Sequence, residues 1–355
     1  MTPQDRAIQR CLLTWFREQK RELPWRGTKD PYRIWVSEVM LQQTTVGAVL
    51  SRYDRFVGRF PDVAALSRAR EESVVAEWSG LGYYSRARNL HRAARAVVRD
   101  HGGRIPRDVG TLRELPGVGE YMAAAVASLA FGTRVPAADA NVTRVLSRLH
   151  AIRGPVSSRA HREQVRRAAA AILPDRDPGD ATAAWMDLGQ SICLPRKPRC
   201  GICPLAEHCA GLRTGAPEDF PEKPRRPAST RAFFAAAFEL SDGRVRLVKR
   251  PPGAWLAGTW AFPLAEGDTA REARRNLAKS LRREGLRVSR ARAMGETAHT
   301  IMQRRLEIEI FRVRPDETGE PVPARWFTAR ELDRAAVSTL TRKIARAAGF
   351  LPEPD

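Results

Sequence analysis

The sequence predicts a multidomain protein, with an all-helical domain over residues 1–212, a linker over residues 213–230 and a smaller α+β domain over residues 231–355. Two observations predict the helical domain. Apolar residues recur there at helical spacing, and short Gly or Pro motifs such as "GRFPDV" and "HGGRIP" separate the apolar segments. A third observation sets the boundary, because the linker is rich in proline and charge and has no apolar period.

Composition excludes a disordered chain and indicates a polyanionic partner. The 355 residues are 43% hydrophobic, which is enough for a sizeable core. The formal net charge of +21 comes mostly from arginine, whose planar guanidinium binds phosphate in bidentate geometry. Nucleic acid is the first expectation and an anionic membrane surface the second, although a genome rich in G and C would also raise the arginine content.

No targeting or membrane segment is predicted from the sequence. The longest apolar candidate is "YMAAAVASLAF" at residues 121–131, which is far shorter than the ~20 residues of a membrane helix. The first residues lack the apolar core of a signal peptide. We therefore expect a cytoplasmic protein without membrane contact, associated with the nucleoid if the source is bacterial.

An acidic residue lies in an apolar helical segment, "IWVSEVMLQQTTV" at residues 34–46. Asp30 and Pro31 have the residue types expected at an N-cap and a first helical position, so Glu38 lies well inside the helix. Glu38 is then either a residue at the solvent edge of an amphipathic helix, or a partly buried acid whose raised pKa lets it donate a proton near neutral pH.

A glycine-rich turn, "LPGVG" at residues 115–119, comes directly before a helix and lies within residues 112–131. Glycine lets the backbone approach a ligand closely, and the N–H groups that begin a helix bind anions. The turn is thus either a phosphate site or an ordinary connection between helices. Farther along, Asp139 precedes another helix, where an aspartate acts by default as an N-cap.

Four of the five cysteines crowd into one segment. Cys193, Cys200, Cys203 and Cys209 are separated by six, two and five residues, while Cys11 stands alone. In a reducing compartment this array predicts a metal site rather than disulfides. Thiolates suit both zinc and iron–sulfur clusters, and four ligands complete either site, so the residue types do not choose the metal.

After the linker, strand-like segments alternate with helical ones. The segments "RAFFAAAFEL", "RVRLVKR" and "RRLEIEIFRVR" have strand-like patterns, and "TAREARRNLAKSLRREG" predicts a helix. "RWFTARELDRAAV" at residues 325–337 predicts the end of a strand that runs into another helix. This mixture indicates an α+β domain.

Together, several motifs resemble those of one known family. "LPWR" at residues 23–26, "SEVMLQQT" at 37–44, "GLGYYSRARNL" at 80–90, "LPGVG" and the cysteine array are similar to motifs of MutY-type adenine DNA glycosylases, in the endonuclease III or helix–hairpin–helix superfamily. The resemblance spans about residues 8–210. It implies a helix–hairpin–helix glycosylase fold, a [4Fe–4S] cluster on the four cysteines of residues 193–209, and a monomer that binds double-stranded DNA.

The resemblance also implies a catalytic set. In the family, a neutral glutamic acid protonates N7 of adenine and an ionised aspartate stabilises positive charge on the sugar; Glu38 and Asp139 match these residues. Tyr121 and Asn141 match residues that support the aspartate and the sugar. Strand-cutting relatives carry a lysine nucleophile at the position of Tyr121, so the resemblance implies base removal without strand cleavage.

Further positions match residues with which the family holds DNA. Trp25 and Arg26 match the pocket for the flipped adenine, and the residues that match the base-stack insertion or the hairpin are Gln42, Gln43, Tyr83, Gly117, Val118 and Gly119. Ordinary packing is the alternative for Trp25 and Tyr83, and solvent exposure for Arg26. Independently of the resemblance, helical spacing places Arg88, Arg92, Arg95 and Arg99 on one face that either binds phosphate or is solvated.

The C-terminal motif "VKRPPGAWLAGTWAFP" at residues 248–263 resembles the Nudix-like domain with which the family reads 8-oxoguanine opposite adenine. Its helix lacks the clustered glutamates that hold magnesium in Nudix hydrolases, so nucleotide hydrolysis is not expected. After His299, Ile301-Met302-Gln303 replaces the family's Phe-Ser/Thr-His triplet, and Ala140 replaces a glycine. The expected substrate is adenine opposite 8-oxoguanine or guanine, and the replaced triplet leaves the preference between them open.

Two alternatives remain. One is another glycosylase of the superfamily that acts on oxidised pyrimidines or mismatches, and the other is a non-catalytic iron–sulfur protein that binds DNA. Tyr121 and Glu38 count against the first alternative. The presence of both carboxylates, Glu38 and Asp139, counts against the second.

Overall fold

A computed structural model describes residues 2–19, 21–222, 230–250, 258–283, 286–288, 293–301, 303–315, 324–335 and 337–353. The chain divides into two compact units. The first unit contains Met1–Ala69 and Arg88–Arg225, and the second unit contains Arg70–Ala87 and Arg226–Asp355.

This division differs in two places from the boundaries expected from the sequence. Residues 70–87, which were expected in the helical domain, belong to the second unit. Residues 213–222 of the expected linker belong to the first unit, because Phe220 is 3% exposed and its carbonyl accepts a 3.0 Å hydrogen bond from Nε of Arg148. Residues 223–229 of the expected linker lie outside the described residues.

Between residues 2 and 222 the described chain is helical, as predicted, and contains no strand. Its α-helices are α1 (Pro3–Gln19), α2 (Pro31–Leu41), α3 (Val46–Arg59), α4 (Val63–Arg68), α5 (Glu71–Glu77), α6 (Ser85–His101), α7 (Val109–Glu114), α8 (Glu120–Phe131), α9 (Ala140–Leu149), α10 (Arg159–Ala171), α11 (Pro178–Ser191) and α12 (Ala210–Arg213). Single turns of 3-10 helix lie at Cys200–Ile202, Ala206–His208 and Pro217–Asp219.

Side-chain caps fix where the functional helices begin. Oδ1 of Asp30 accepts hydrogen bonds from the backbone N–H groups of Tyr32 at 2.9 Å and Arg33 at 3.4 Å. Pro31 is the first residue of α2, as predicted. Asp139 caps α9 through a bond from a backbone N–H of its first turn. Both caps are local features, which is why the sequence located both helix starts.

Close helix packing in the first unit depends on two glycines of α11. The buried residues of α8 run without a break from Met122 to Ser128, so this helix contacts neighbours on all sides. A Cβ on Gly179 would lie 2.8 Å from the carbonyl oxygen of Ser128 in α8, and a Cβ on Gly189 would lie 2.8 Å from Cβ of Asn141 in α9. Glycine therefore lets α11 approach both α8 and the start of α9.

The second unit is an α+β structure, as predicted. Its strands are β1 (Thr230–Phe238), β2 (Leu240–Ser241), β3 (Arg244–Lys249), β4 (Trp260–Ala261), β5 (Leu264–Gly267), β6 (Leu286–Val288), β7 (Gly295–Ile301), β8 (Arg304–Pro315) and β9 (Ala324–Phe327). Its further helices are α13 (Ala270–Arg283), α14 (Ala329–Arg334) and α15 (Thr339–Ala347). One sheet has the order β5-β1-β8-β6 with β7 also paired to β8, and the other has the order β2-β3-β4 with β9 paired to β3.

Strand β1 is buried on both faces. It pairs in parallel with β8 and antiparallel with β5. Phe234 and Phe238 enter the core that contains Ile344 of α15, while Ala235 and Ala237 enter the core formed with α13. Burial on both faces explains the nearly continuous apolar run "AFFAAAF" in this strand.

Among the helices that the structure describes, none combines the length and apolar character that crossing a membrane requires.

Candidate active site and cluster loop

Glu38 is a buried acid in the interior of α2. The residue is 6% exposed, and its neighbours Val39 and Met40 are buried as well. Burial raises the pKa of Glu38; the hydrogen bond from Tyr121 and the charge of Arg26 lower it, and the charge of Asp139 raises it. The interpretation of Glu38 as a residue at the solvent edge of its helix is therefore wrong, because the faces of α2 around it are covered.

Tyr121 lies in the first turn of α8 and contacts this acid directly. Its hydroxyl donates a 2.8 Å hydrogen bond to Oε2 of Glu38. Burial, followed by the negative charges of Glu38 and Asp139, holds the pKa of Tyr121 well above its ordinary value. The phenol therefore keeps its proton and acts as a hydrogen-bond donor to Glu38.

Asp139 is the N-cap of α9, and its charge raises the pKa of both Glu38 and Tyr121. Its Oδ1 accepts a 2.7 Å hydrogen bond from the backbone N–H of Val142, and its Oδ2 accepts a 2.8 Å bond from Nδ2 of Asn141. Bonds from N–H groups at a helix start favour a carboxylate anion. The fold thus brings together a buried carboxyl group and a hydrogen-bonded carboxylate, from α2 and the start of α9.

Arg26 belongs to a charged group that was not predicted from the sequence. One of its terminal nitrogens donates a 2.9 Å hydrogen bond to Oδ1 of Asp187, a residue of α11 that is 2% exposed. Arg21 donates to the same Oδ1 at 2.5 Å and to Oε1 of Gln190 at 2.8 Å. Asp187 lies in the apolar run "AAWMDLG", so an acid inside an apolar helix was the available signal, as it was for Glu38.

Arg144 links the start of α9 to the cysteine segment, and the sequence analysis did not find it either. Its guanidinium donates to Oδ1 of Asn141 at 3.0 Å, to the carbonyl of Gly189 at 2.7 Å and to the carbonyl of Cys193 at 2.9 Å. Asn141 in turn donates to Asp139. A chain of hydrogen bonds therefore runs from the backbone of the first predicted metal ligand to the carboxylate.

The four predicted metal ligands Cys193, Cys200, Cys203 and Cys209 line one cavity, together with apolar residues that include Leu149, Leu188 and Ile192. Arg148 holds the loop from inside, because its guanidinium donates to Sγ of Cys193 at 3.4 Å, to the carbonyl of Leu194 at 2.6 Å and to that of Pro195 at 3.1 Å. Four thiols around one apolar cavity fit an iron–sulfur cluster, in which cysteines ligate the irons. Among the described residues, no group of three or more His, Cys, Asp or Glu side chains is close enough together to hold a single metal ion.

The hairpin between α7 and α8 has the geometry of a close-approach turn. Gly117 has a φ of +79°, and a Cβ there would lie 2.6 Å from Cβ of Asn89 in α6, so only glycine fits. Val118 is 7% exposed and packs inward. Gly119 is the exposed N-cap of α8, and a Cβ there would meet no atom within 4 Å.

Two of the residues that match the base-stack insertion have strained backbones. Gln43 is exposed with a φ of +53°, and Tyr83 is 51% exposed with a φ of +44°. A positive φ is unfavourable for residues other than glycine, and such strained positions cluster at functional sites. Gln42 is half-buried at the end of α2. Tyr83 belongs to the second unit and Gln43 to the first.

The remaining predicted positions differ in their surroundings. Trp25 is 5% exposed and its ring packs edge-on against Tyr53, with centroids 5.1 Å apart. The arginine stripe of α6 makes protein contacts: Arg92 to Asn89 at 2.5 Å, Arg95 to the carbonyl of Ser67 at 3.3 Å and Arg99 to Asp100 at 2.6 Å. Arg88 is half-buried.

In the second unit, His299 and Ile301 lie in β7 and Gln303 follows it, while Met302 and residues 251–257 lie outside the described residues.

Comparison with known proteins assigns each part of the chain. Residues 36–174 match the HhH-GPD superfamily of base excision DNA repair proteins, residues 193–209 match the iron–sulfur binding domain of endonuclease III, and residues 235–347 match the NUDIX domain. The adenine DNA glycosylase of Homo sapiens is 33% identical over 401 residues, which cover 96% of this chain and 73% of the human protein. The chain belongs to the adenine DNA glycosylase family.

Other relatives agree with this assignment. The adenine DNA glycosylase of Mycobacterium tuberculosis (strain CDC 1551 / Oshkosh) is 42% identical over 224 residues, covering 61% of this chain and 70% of that protein. The structure of a thermostable thymine-DNA glycosylase is 31% identical, with a TM-score of 0.54, over 59% of this chain and 97% of its own. The predicted family resemblance, fold class and glycosylase activity are thus confirmed.

Family membership sets the reaction class and the kind of cofactor. The protein is a base excision repair enzyme that acts on DNA and hydrolyses an N-glycosidic bond. Its segment 193–209 is an iron–sulfur binding domain, which decides between the zinc and iron–sulfur alternatives that the residue types had left open.

Proposed function

We propose that this enzyme removes adenine opposite 8-oxoguanine or guanine from double-stranded DNA, and that it does so without cutting the strand. The observation that carries the proposal is the pairing of a buried acid with a hydrogen-bonded carboxylate. Glu38, whose pKa is raised chiefly by burial, contacts Tyr121 at 2.8 Å, and Asp139 accepts two hydrogen bonds beside them.

The two carboxyl groups suit the two demands of the reaction. Adenine leaves poorly as an anion, so a proton from Glu38 to N7 of the ring makes it a neutral leaving group. The electron pair of the C–N bond moves to the purine, and the Asp139 carboxylate stabilises the positive charge that develops on the sugar. Water then supplies the hydroxyl group to the sugar carbon, and its proton restores the acid.

Absence of an amine nucleophile at residue 121 limits the reaction to base removal. A lysine there would attack the sugar carbon and form a Schiff base, which leads to strand cleavage. Tyr121 instead keeps its hydroxyl proton, and this hydroxyl is the donor in the hydrogen bond to Glu38. We therefore propose a monofunctional glycosylase, in which Tyr121 and Asn141 hold the acid and the carboxylate.

We propose that the flipped adenine is held beside Trp25 and Arg26. Trp25 is fixed in the core and Arg26 is fixed by Asp187, so the wall of this pocket is rigid. Residues that fill the gap or hold the backbone in this proposal are Gln42, Gln43, Tyr83, Arg88, Gly117, Val118 and Gly119. The exposed N-cap Gly119 supports a phosphate contact at the start of α8.

We propose that Cys193, Cys200, Cys203 and Cys209, which line one cavity, would hold a [4Fe–4S] cluster. The bound cluster would close the loop of residues 193–209 and would supply no acid or base to the adenine site. Arg144 and Arg148 hold the backbone around these cysteines through the carbonyls of Cys193 and Leu194. The second unit is proposed to read the opposite base with a loop that carries Ile301-Met302-Gln303 instead of the family triplet.

A base-release assay tests this function. Duplexes carry adenine opposite 8-oxoguanine, guanine or thymine, or an oxidised pyrimidine opposite guanine, and free base and strand breaks are measured separately. We expect release of adenine opposite 8-oxoguanine and guanine, little release opposite thymine, and strand breaks only after alkaline treatment. Processing of the oxidised pyrimidine without release of adenine would support the alternative glycosylase, and the loss of all activity at an intact cluster would support the binding protein.

A further inference from the structure

The loop that carries Tyr83 has an unusual backbone for an exposed aromatic residue. Tyr83 is 51% exposed and has a φ of +44°, and the flanking glycines Gly80 and Gly82 have φ values of +94° and +68°. Positive φ at tyrosine is strained, and such a conformation persists only where surrounding contacts fix it. The contacts that fix this loop therefore decide where the Tyr83 ring is held.

Some of these contacts are local. The indole N–H of Trp78, a residue with 0% exposure, donates a 3.2 Å hydrogen bond to the carbonyl of Gly82. Arg86 donates to the carbonyls of Leu81 at 2.9 Å and Gly82 at 3.3 Å, and its guanidinium lies 5.6 Å from the centroid of the Tyr83 ring. The loop is thus closed on itself beneath Tyr83.

Other contacts come from the C-terminal part of the same compact unit. The hydroxyl of Tyr84, the residue after Tyr83, donates a 2.8 Å hydrogen bond to the carbonyl of Val337, and both residues are buried. Arg342 of α15 donates to Oγ of Ser79 at 3.1 Å and to the same Val337 carbonyl at 2.9 Å. Residues 70–87 belong to the second unit, so these bonds are internal to that unit.

The side chain of Arg342 is also held by bonds to residues outside the loop. It also donates to the carbonyls of Asp333 at 2.9 Å and Ala335 at 3.1 Å, so four protein oxygens hold one guanidinium. Val337 has 0% exposure and lies in the core that contains β1 and α15. The anchor points of the loop are therefore rigid parts of the C-terminal fold, at sequence separations of 253 and 263 residues.

We propose that Tyr84 and Arg342 are positioning residues for Tyr83: through Val337 and Ser79, the C-terminal fold holds the Tyr83 loop in the place from which the ring enters the base stack. This inference rests on the proposed role of Tyr83 in the stack. It makes the NUDIX-type fold and the inserted aromatic residue parts of one body. A substitution that disturbs the C-terminal fold then weakens base flipping even when the opposite base is still read correctly.

The test is a double-mutant cycle read out by base flipping and by excision. Tyr84→Phe removes one hydroxyl group and Arg342→Met removes the bonds of the guanidinium, and each is made alone and in the Tyr83→Ala background. Flipping is followed by the fluorescence of 2-aminopurine in place of the target adenine. Arg346→Met is the matched control, because Arg346 lies on the same helix α15 and contacts only the carbonyl of Pro352 among described partners.

We expect Tyr84→Phe to lower flipping amplitude and single-turnover excision about 3- to 10-fold, the worth of one net hydrogen bond, and Arg342→Met to lower both by at least as much. In the Tyr83→Ala background they should have little further effect, and Arg346→Met should have none in either background. Because Arg342→Met removes several bonds at once, Ser79→Ala serves as the second variant if the first fails to fold. It deletes only the acceptor in the loop.

Three results would overturn the inference. Unchanged flipping in Tyr84→Phe and Ser79→Ala while Tyr83→Ala is slow would show that the anchors do not position the ring. Full additivity in the Tyr83→Ala background would show that they act elsewhere. Normal flipping by Tyr83→Ala would remove the inserted aromatic residue from the proposed function, and the inference with it. A wild-type enzyme that flips 2-aminopurine but releases no adenine would refute only the proposed chemistry.

Discussion

The hydroxyl of Tyr121 donates a 2.8 Å hydrogen bond to Oε2 of Glu38, a residue 83 positions earlier in the chain. This bond joins the first turn of α8 to the interior of α2 at the point where Asp139 begins α9. Since the phenol is the donor, it stabilises negative charge on Glu38 and opposes the effect of burial. The pKa of Glu38 is thus set chiefly by two opposing contributions, burial and the hydrogen bond from Tyr121, and a mutation can change either of them.

Replacement of the acid tests its chemical role. Glu38→Gln keeps the shape of the side chain but has no proton to give, so excision of adenine should fall by about 10²- to 10⁴-fold, the usual range for loss of a general acid. Binding to the same duplex should change little, because Glu38 is buried and contributes no surface charge. Single-turnover excision and equilibrium binding at one salt concentration measure the two effects. Loss of binding together with excision would instead give Glu38 a structural role.

The pH profile tests the hydrogen bond itself. Glu38 acts only while protonated, so excision should fall as pH rises through its pKa, which burial has raised. The bond from Tyr121 lowers this pKa, and therefore Tyr121→Phe should move the alkaline fall in rate to higher pH, whatever happens to the maximal rate. Single-turnover rates across neutral and alkaline pH report the shift. Movement of the fall to lower pH would contradict the assigned direction.

Stability against pH gives an independent check on the same acid. The folded pKa of Glu38 lies above its ordinary value of 4.5, so the wild-type protein loses stability as pH rises from that value through the raised pKa. Glu38→Gln does not ionise and should melt at a higher temperature than the wild type at neutral pH. The difference should vanish at pH values below 4.5.

A second carboxylate serves as the control for this experiment. Hydrogen bonds from Arg166 and Arg167 hold the pKa of the partly exposed Glu163 at about 2, which is the opposite direction. Glu163→Gln should therefore not raise the melting temperature at neutral pH. If the wild type and Glu38→Gln showed no pH-dependent difference in melting temperature, Glu38 would not be desolvated in solution.

Arg144 should matter to catalysis although it lies beyond Asn141. Arg144→Gln removes the bonds to Asn141, Gly189 and Cys193, so the Asp139 carboxylate loses its indirect support. Outer contacts of this kind are worth about 10- to 100-fold in activity, and we expect excision to fall in that range. Arg167→Gln is the control, since its side chain is 75% exposed and reaches only Glu163 among its described partners. Equal rates in the two variants would remove Arg144 from the supporting network.

Loss of a cysteine should act through the cluster loop. Cys203→Ser replaces a thiolate ligand by a poor one, so iron content per chain and the visible absorption of the cluster should fall together, while Cys11→Ser should retain both. The loop of residues 193–209 contacts α9 through Arg148, so protease cleavage within it should become faster in Cys203→Ser. Unchanged iron content in Cys203→Ser would exclude this residue as a ligand.

Much of the site could be predicted because its signals are local. The caps at Asp30 and Asp139 lie within three residues of the N–H groups that they satisfy, and the four cysteines lie within one short segment. The positions of Asp187 and Arg144 in the network were not predicted. Their partners Arg26 and Cys193 are 161 and 49 residues away, and no spacing rule connects residues at such separations.

The sequence by itself predicted a helical domain followed by an α+β domain, the caps at Asp30 and Asp139, and the cysteine array, because periodicity, capping and ligand spacing are properties of neighbouring residues. The roles of Glu38 and Asp139 come from the family resemblance and stay predictions. Only the tertiary structure decided that Glu38 is buried, that α11 supplies the counter-charge for Arg26, and that residues 70–87 fold with the C-terminal unit. Each of these features depends on which surfaces meet in the folded chain, because burial and long-range hydrogen bonds form only when those surfaces are in contact.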